Sequence, residues 1–209
     1  IATVKGSSTV TYLDTSGTEI GTTYYYKVRA YVTQSKKTVL SYVSDPRAVT
    51  PGYAIMGESS TTATKMANWY IARGGVYLEE IYSEYGAPTL KDFCKIVYNE
   101  AKAEGVKAEV LFAQICKETG FLRFGGDVQP EQCNFGGIGA TGGGAAGAEF
   151  PDVQTGIRAQ VQHLKAYASD QPLNKACVDP RFTYVTRCAA IYVEWLGVHE
   201  NPTGAGWAT

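Results

Sequence analysis

The sequence predicts a mostly α-helical domain preceded by a small all-β segment. Three observations carry this. Residues 1–50 are rich in Thr, Ser, Val and Tyr and alternate in polarity. From residue 54 onward apolar residues recur at helical spacing instead. Between Gly125 and Pro151 lies a long glycine-rich stretch with no periodicity, read as a functional loop or a short β-hairpin.

In the first part, "TTYYYKVRAYV" places Tyr24, Tyr26, Val28 and Ala30 on one face and Tyr25, Lys27 and Arg29 on the other. That is the pattern of a half-buried strand. "TVTYLD" and "KTVLSYVSD" read as weaker strands, and Pro46 with Pro51-Gly52 closes the section. The run Thr22-x-Tyr24-x-Tyr26-x-Val28-x-Ala30 resembles the C-terminal half of a fibronectin type III domain. The resemblance implies a spacer. Some fifty residues fall short of the usual sandwich of about 100, so its open apolar face is expected to pack on the second part or on another chain. The expected organisation is 1–50 β segment, 51–60 linker and 61–209 helical domain.

In the second part, "TKMANWYIARGG" reads as a helix stopped by Gly74-Gly75. Residues 89–104 read as another, with Thr89 as N-cap, Asp92 at the capping-box position and Gly105 as terminator. A helix over about 107–119 is apolar on most sides and therefore expected at the centre. "TGIRAQVQHLKAYAS" spaces Ile157, Val161, Leu164 and Ala168 as an amphipathic helix. Residues 184–196, with Val185, Cys188, Tyr192 and Trp195 on one face, predict a last one.

The chain has 209 residues, 44% hydrophobic, with 19 basic and 20 acidic side chains. A balance this even offers no electrostatic capture of nucleic acid or anionic lipid. No apolar run reaches the roughly 18 residues of a membrane span. The chain begins at Ile1 without a basic-then-apolar leader, so it is expected to be a monomeric piece of a longer multidomain protein. Its five cysteines form no C-x-x-C pair and read mostly as small core residues.

The chemistry concentrates at Glu118, which follows the apolar run Val110 to Cys116. A carboxylate in the last turn of a helix meets the negative end of the dipole. Apolar surroundings add a desolvation cost, and both effects favour the protonated acid. A carboxylic acid held ready near neutral pH is what protonation of a glycosidic oxygen requires.

Four further segments extend the pattern. Gln114, Glu118, Thr119 and Gly120 form a Gln-x-x-x-Glu-Thr-Gly run, and Asn134-Phe135-Gly136-Gly137-Ile138 follows. Then come Phe150 with "TGIRAQVQHL" and, at the end, Gly206-Trp207-Ala208-Thr209. In this order they resemble the glucosaminidase domain of bacterial cell-wall hydrolases, glycoside hydrolase family 73, over residues 60–209. The resemblance implies a lysozyme-like helical fold, a secreted or cell-surface location and cleavage of the β-1,4 bond after N-acetylglucosamine in peptidoglycan glycan strands. It maps Glu118 onto the general acid. Gln114, one turn earlier, shares its helix face. Asn134, Phe135, Gly137 and Ile138 would line the cleft, Phe135 by stacking on a sugar. Tyr192 and Trp207 are further substrate-contact candidates; Trp207 stands where the family often has tyrosine.

The second carboxylate is less defined. Many family members place a glutamate on a hairpin before the phenylalanine, whereas "GATGGGAAGAEF" offers only Glu149. Asp127 and Glu131 are the other candidates. Failing these, the acetamido oxygen of the substrate could be the nucleophile. The alternatives are a non-catalytic glycan-binding module and a lytic transglycosylase acting at muramic acid.

No cofactor or metal is expected. Gly137-x-Gly139-x-x-Gly142 lacks the flanking strand and helix of a dinucleotide site. His163 and His199 are too few for a zinc centre. A Cys116 nucleophile would sit at the wrong end of a helix dipole.

Overall fold

A computed structural model describes residues 3–6, 14 and 18–197. They fall into two units, Ile1–Tyr53 and Ala54–Thr209. The expected "TVTYLD" strand lies outside the described residues, except for Asp14.

The described residues of the first unit hold four short strands: β1 (Tyr24–Tyr26), β2 (Tyr31–Gln34), β3 (Lys37–Leu40) and β4 (Arg47–Val49). β1 pairs antiparallel with β4, Tyr24 opposite Val49, and β2 with β3, Tyr31 opposite Leu40. Ser35 and Lys36 form the hairpin turn, both with positive φ (48° and 64°), as a two-residue turn between twisted strands requires. The single long strand expected over Tyr24–Ala30 is interrupted after Tyr26. There Val28 N donates to Ser44 Oγ at 3.0 Å and Ala30 N to Ser41 Oγ at 2.9 Å. Hydroxyls replace carbonyls in the ladder and shift the register between its two halves. A fibronectin-type sandwich needs two sheets over a shared core. The described residues form two ribbons instead, with Tyr25 and Val28 each 72% exposed.

The second unit contains α1 (Ala63–Ala72), α2 (Glu79–Tyr82), α3 (Leu90–Glu104), α4 (Ala108–Glu118) and α5 (Val153–Ala168). α3 packs against α1, α4 and α5. Phe93 and Val97 of α3, Leu111 and Ile115 of α4, and Ile157 and Val161 of α5 are buried together with Tyr70 and Tyr82. Thr89 caps α3 by accepting from Asp92 N at 3.1 Å, and Gly105 ends it in a left-handed conformation (φ 75°). Asp152 caps α5 through Thr155 N at 2.7 Å.

α4 has no side-chain cap from its own N-cap residue, Lys107. Ser59 supplies one from elsewhere: its Oγ accepts from Ala108 N at 2.8 Å. Ile55 is fully buried, and its carbonyl accepts from Lys107 N. Residues 54–60, expected as linker, are thus part of the helical unit.

The helix expected over 184–196 does not form. Short 3-10 turns stand at Phe182–Tyr184 and Val193–Trp195, and Cys188 has φ 58°. The chain between them spends its backbone groups on tertiary partners. Ala190 N donates to Tyr167 O, Ile191 O accepts from Ile55 N, and Tyr192 bridges Ala54. Arg187 reaches Ser169 O at the end of α5. These bonds outcompete the i to i−4 ladder in a stretch rich in β-branched residues.

Two buried carboxylates on α3 fasten the chain after α5. Glu104 accepts from Lys165 Nζ at 2.9 Å and from the backbone N–H groups of Asn174 and Lys175. Glu100 accepts from Arg158, Lys175 and Gln154. His163, on α5, bonds the buried Asp179 at 2.8 Å, a packing role.

Gly156 marks the closest approach of α5 to a loop: a Cβ there would lie 1.8 Å from Cys133 O. Helix and loop must separate to admit a methyl group, and such overpacking costs typically about 1–3 kcal/mol. Gly156→Ala is therefore expected to lower the urea midpoint by an amount in that range. An unchanged midpoint would show that the contact relaxes freely.

Cys94, Cys116 and Cys133 are buried as expected, whereas Cys177 and Cys188 are exposed. Burial pushes the Cys116 thiol up to about 12, which argues against a thiolate nucleophile there. Among the described residues, no helix is long and apolar enough to cross a membrane.

Candidate active site

Glu118 is the last residue of α4 and is exposed. The greasy enclosure expected around it is not what the structure shows. α4 buries Val110, Leu111, Phe112, Ile115 and Cys116, and turns Ala113, Lys117 and Glu118 outward. The apolar run faces the core, and the carboxylate ends the opposite, wet side. Gln114 lies one turn earlier, half-buried, and its Oε1 accepts from Gln160 Nε2 at 3.2 Å.

The chain leaves α4 through an uncommon turn. Gly120, Phe121, Leu122 and Phe124 all have positive φ, between 56° and 61°. For bulky residues this conformation is costly and persists only where surrounding structure over-determines it. Here the supports are specific. Buried Thr119 donates its hydroxyl to Ile115 O at 2.7 Å and accepts from Leu122 N at 2.8 Å. The Tyr70 hydroxyl lies 2.7 Å from Phe121 O and 2.9 Å from Val76 O. Burial, reinforced by nearby Cys116, pushes that phenol up to about 12, so it remains a donor. Phe121 stacks on Trp69 and Tyr70 of α1, each with centroids 5.8 Å away. α1 therefore braces the turn that follows Glu118.

The glycine-rich loop is held by Asn134, which is 1% exposed. Its Nδ2 donates to Ile138 O at 2.9 Å and Ala148 O at 3.0 Å, and its Oδ1 accepts from Ile138 N at 2.8 Å. This is an internal clamp rather than the expected cleft lining. Gly147 closes against it with φ 75°; a Cβ would meet Ile138 O at 2.9 Å. Gly142 and Ala145 form a single antiparallel bridge at the loop's tip.

Phe135 is fully buried, with Phe93 at 5.2 Å and Tyr82 at 5.7 Å between ring centroids. A ring enclosed in the core cannot stack on a sugar, and the stacking role expected for Phe135 is corrected accordingly. Ile138 is also buried and Gly137 half-buried. Asp127 is exposed, and its Oδ2 accepts from Gly144 N at 3.2 Å, tying down the loop tip. Glu149 and Glu131 are exposed. Tyr192 is half-buried against Trp195, centroids 4.9 Å apart. Trp207 lies outside the described residues.

One stretch runs from within α3 through α4, the clamped loop and α5. Residues 94–203, from Cys94 onward, match the glucosaminidase family, described as mannosyl-glycoprotein endo-beta-N-acetylglucosaminidase. The chain belongs to the glucosaminidase family. An uncharacterized protein of Borreliella burgdorferi is 40% identical over 133 residues, covering 60% of this chain and 65% of that protein. The chain thus matches just under two thirds of that relative's length. No solved structure matches it. In this glucosaminidase chain α1 and α2 precede the matched stretch, yet Trp69 and Tyr70 brace the turn after Glu118.

Several site residues escape sequence reasoning. Gln160 and Tyr70 sit in ordinary helical patterns, and nothing local marks them. Thr119 carries a weak signal, a small hydroxyl residue beside a glycine at a helix end.

Proposed function

We propose that this glucosaminidase domain hydrolyses the β-1,4 bond after N-acetylglucosamine in peptidoglycan, at the bacterial cell surface, with Glu118 as general acid. The match of residues 94–203 to the family carries this reading. The placement of Glu118 supports it: an accessible carboxyl group on a rigid helix end, with Gln114 on the same face. A docked glycan would expel water from around the acid and strengthen its effect on the leaving oxygen. The β segment before residue 54 acts as a spacer in this reading.

The substrate's acetamido group serves as nucleophile. The observation favouring it over Asp127 is that Asp127 already accepts a backbone bond from the loop tip. Glu149 and Glu131, both exposed, are the remaining carboxylates for a two-acid mechanism.

Digestion of purified cell walls tests the reaction class. New reducing ends should appear, with N-acetylglucosamine as the terminal sugar by mass spectrometry. A 1,6-anhydro muramic end would replace hydrolysis with lytic cleavage. Binding without new ends would make the domain a glycan-binding module.

A further inference from the structure

We propose that Trp69, Phe121, Arg73 and Arg123 form a glycan subsite that selects a carboxylate-bearing sugar beside Glu118. The inference rests on the glycan-hydrolase reading and names the part of the substrate this surface takes.

The surface is built from two separate pieces of chain. Trp69 is 42% exposed on α1, an unusual position for so large a ring. Its indole lies nearly parallel to the Phe121 ring (23°, 5.8 Å) and edge-on to Phe112 at 6.2 Å. Phe121 follows Glu118 by three residues, and its carbonyl and ring are held by Tyr70. The strained turn thus fixes an aromatic pair at the exit of the helix that carries the acid. Trp69, the exposed member of the pair, is a rigidly held ring that offers an apolar contact face at little entropic cost.

Two guanidinium groups flank the pair. Arg73, which ends α1, stands 5.6 Å from the Trp69 ring centroid. Arg123, two residues after Phe121, donates to Gly74 O at 3.3 Å. Both are exposed, and neither forms a salt bridge among the described residues. Each retains further N–H donors. Aromatic surface with a guanidinium group over the Trp69 ring and another bonded to Gly74 O suits a sugar that presents an apolar ring face and an anion together. A neutral N-acetylglucosamine polymer uses only the rings. A lactyl-substituted sugar, with or without an acidic stem peptide, uses both.

The test measures binding to the Glu118→Gln protein by calorimetry. Three ligands are compared: chitotetraose, a soluble muroglycan stripped of peptides, and the same glycan bearing them. Trp69→Ala should weaken all three about tenfold, the size of one lost contact of about 1.4 kcal/mol. Arg73→Gln/Arg123→Gln should weaken the acidic glycans by a similar factor, leave chitotetraose unchanged and remove the salt dependence. Arginine dependence on the stripped glycan assigns the lactyl carboxylate, and dependence only on the peptide-bearing one assigns the stem peptide. The arginine pair is exposed and tests the proposal even if Trp69→Ala loses stability. Equal binding of acidic glycans by parent and arginine variant would overturn the subsite. Failure of every glycan to bind the parent would overturn the glycan reading itself.

Discussion

Glu118→Gln is expected to lower the rate of wall hydrolysis by about a thousandfold while leaving the fold intact. Removing a general acid typically forfeits 10²–10⁴ in rate. Glutamine keeps the size and hydrogen-bonding shape of the side chain but has no proton to give to the leaving oxygen. Because the residue is exposed at a helix end, its replacement should fall within about 0.5 kcal/mol of neutral for stability. Activity and stability therefore separate, and this distinguishes a catalytic role from a structural one. Wild-type turnover by Glu118→Gln would refute the assignment. Glu149→Gln, Glu131→Gln and Asp127→Asn, measured alongside, decide the second group: full activity in all three leaves the acetamido mechanism standing.

Glu104→Ala is expected to cost about 3–5 kcal/mol, the penalty for breaking a buried ion pair by removing one partner. Lys165 is 2% exposed and would lose the carboxylate it donates to. The N–H groups of Asn174 and Lys175 would lose their acceptor as well. Against a total stability of about 5–15 kcal/mol, this removes a large share of the margin. Urea denaturation gives the number, and a change below about 1 kcal/mol would show that water replaces the carboxylate.

The same carboxylates predict an acid transition. Burial pushes Glu104 up, but the backbone N–H groups of Asn174 and Lys175 and the Lys165 ammonium outweigh it and hold the group below its ordinary value of 4.5. At Glu100 burial is likewise overcome by Arg158, Gln154 and Lys175. The folded state thus binds protons less readily than the unfolded one. Their stabilisation is complete above about pH 4.5 and is lost as pH falls through the lowered folded values. Glu104→Gln removes one of these groups and should flatten the loss of stability in that acidic range.

Much of the helical unit was legible because its signals are local. Thr89 with Asp92 three residues on, and Gly105 at the other end, bound α3 by cap chemistry that is local at each terminus. The run from Val110 to Cys116 followed by Glu118 marks α4, which ends at that residue. What was misread depends on partners distant in sequence. Phe135 sits in a motif that suggests a cleft, but its ring fills the core between Phe93 and Tyr82. Residues 184–196 repeat apolar side chains at helical spacing, yet their backbone is claimed by Ile55, Tyr167 and Ala54. Ser59 looked like linker until Ala108 N, 49 residues away, required an acceptor. The glycine-rich loop was recognised as a loop; that Asn134 holds it from inside could not be read from spacing.

The dependence of α4 on Ser59 and Ile55, and of the turn after Glu118 on Tyr70, sets where the molecule can be cut. A fragment trimmed to the margins of the family match would begin within α3 and discard all three supports. A piece that keeps all three supports starts at Ala54, where the helical unit begins, some forty residues upstream of the matched stretch.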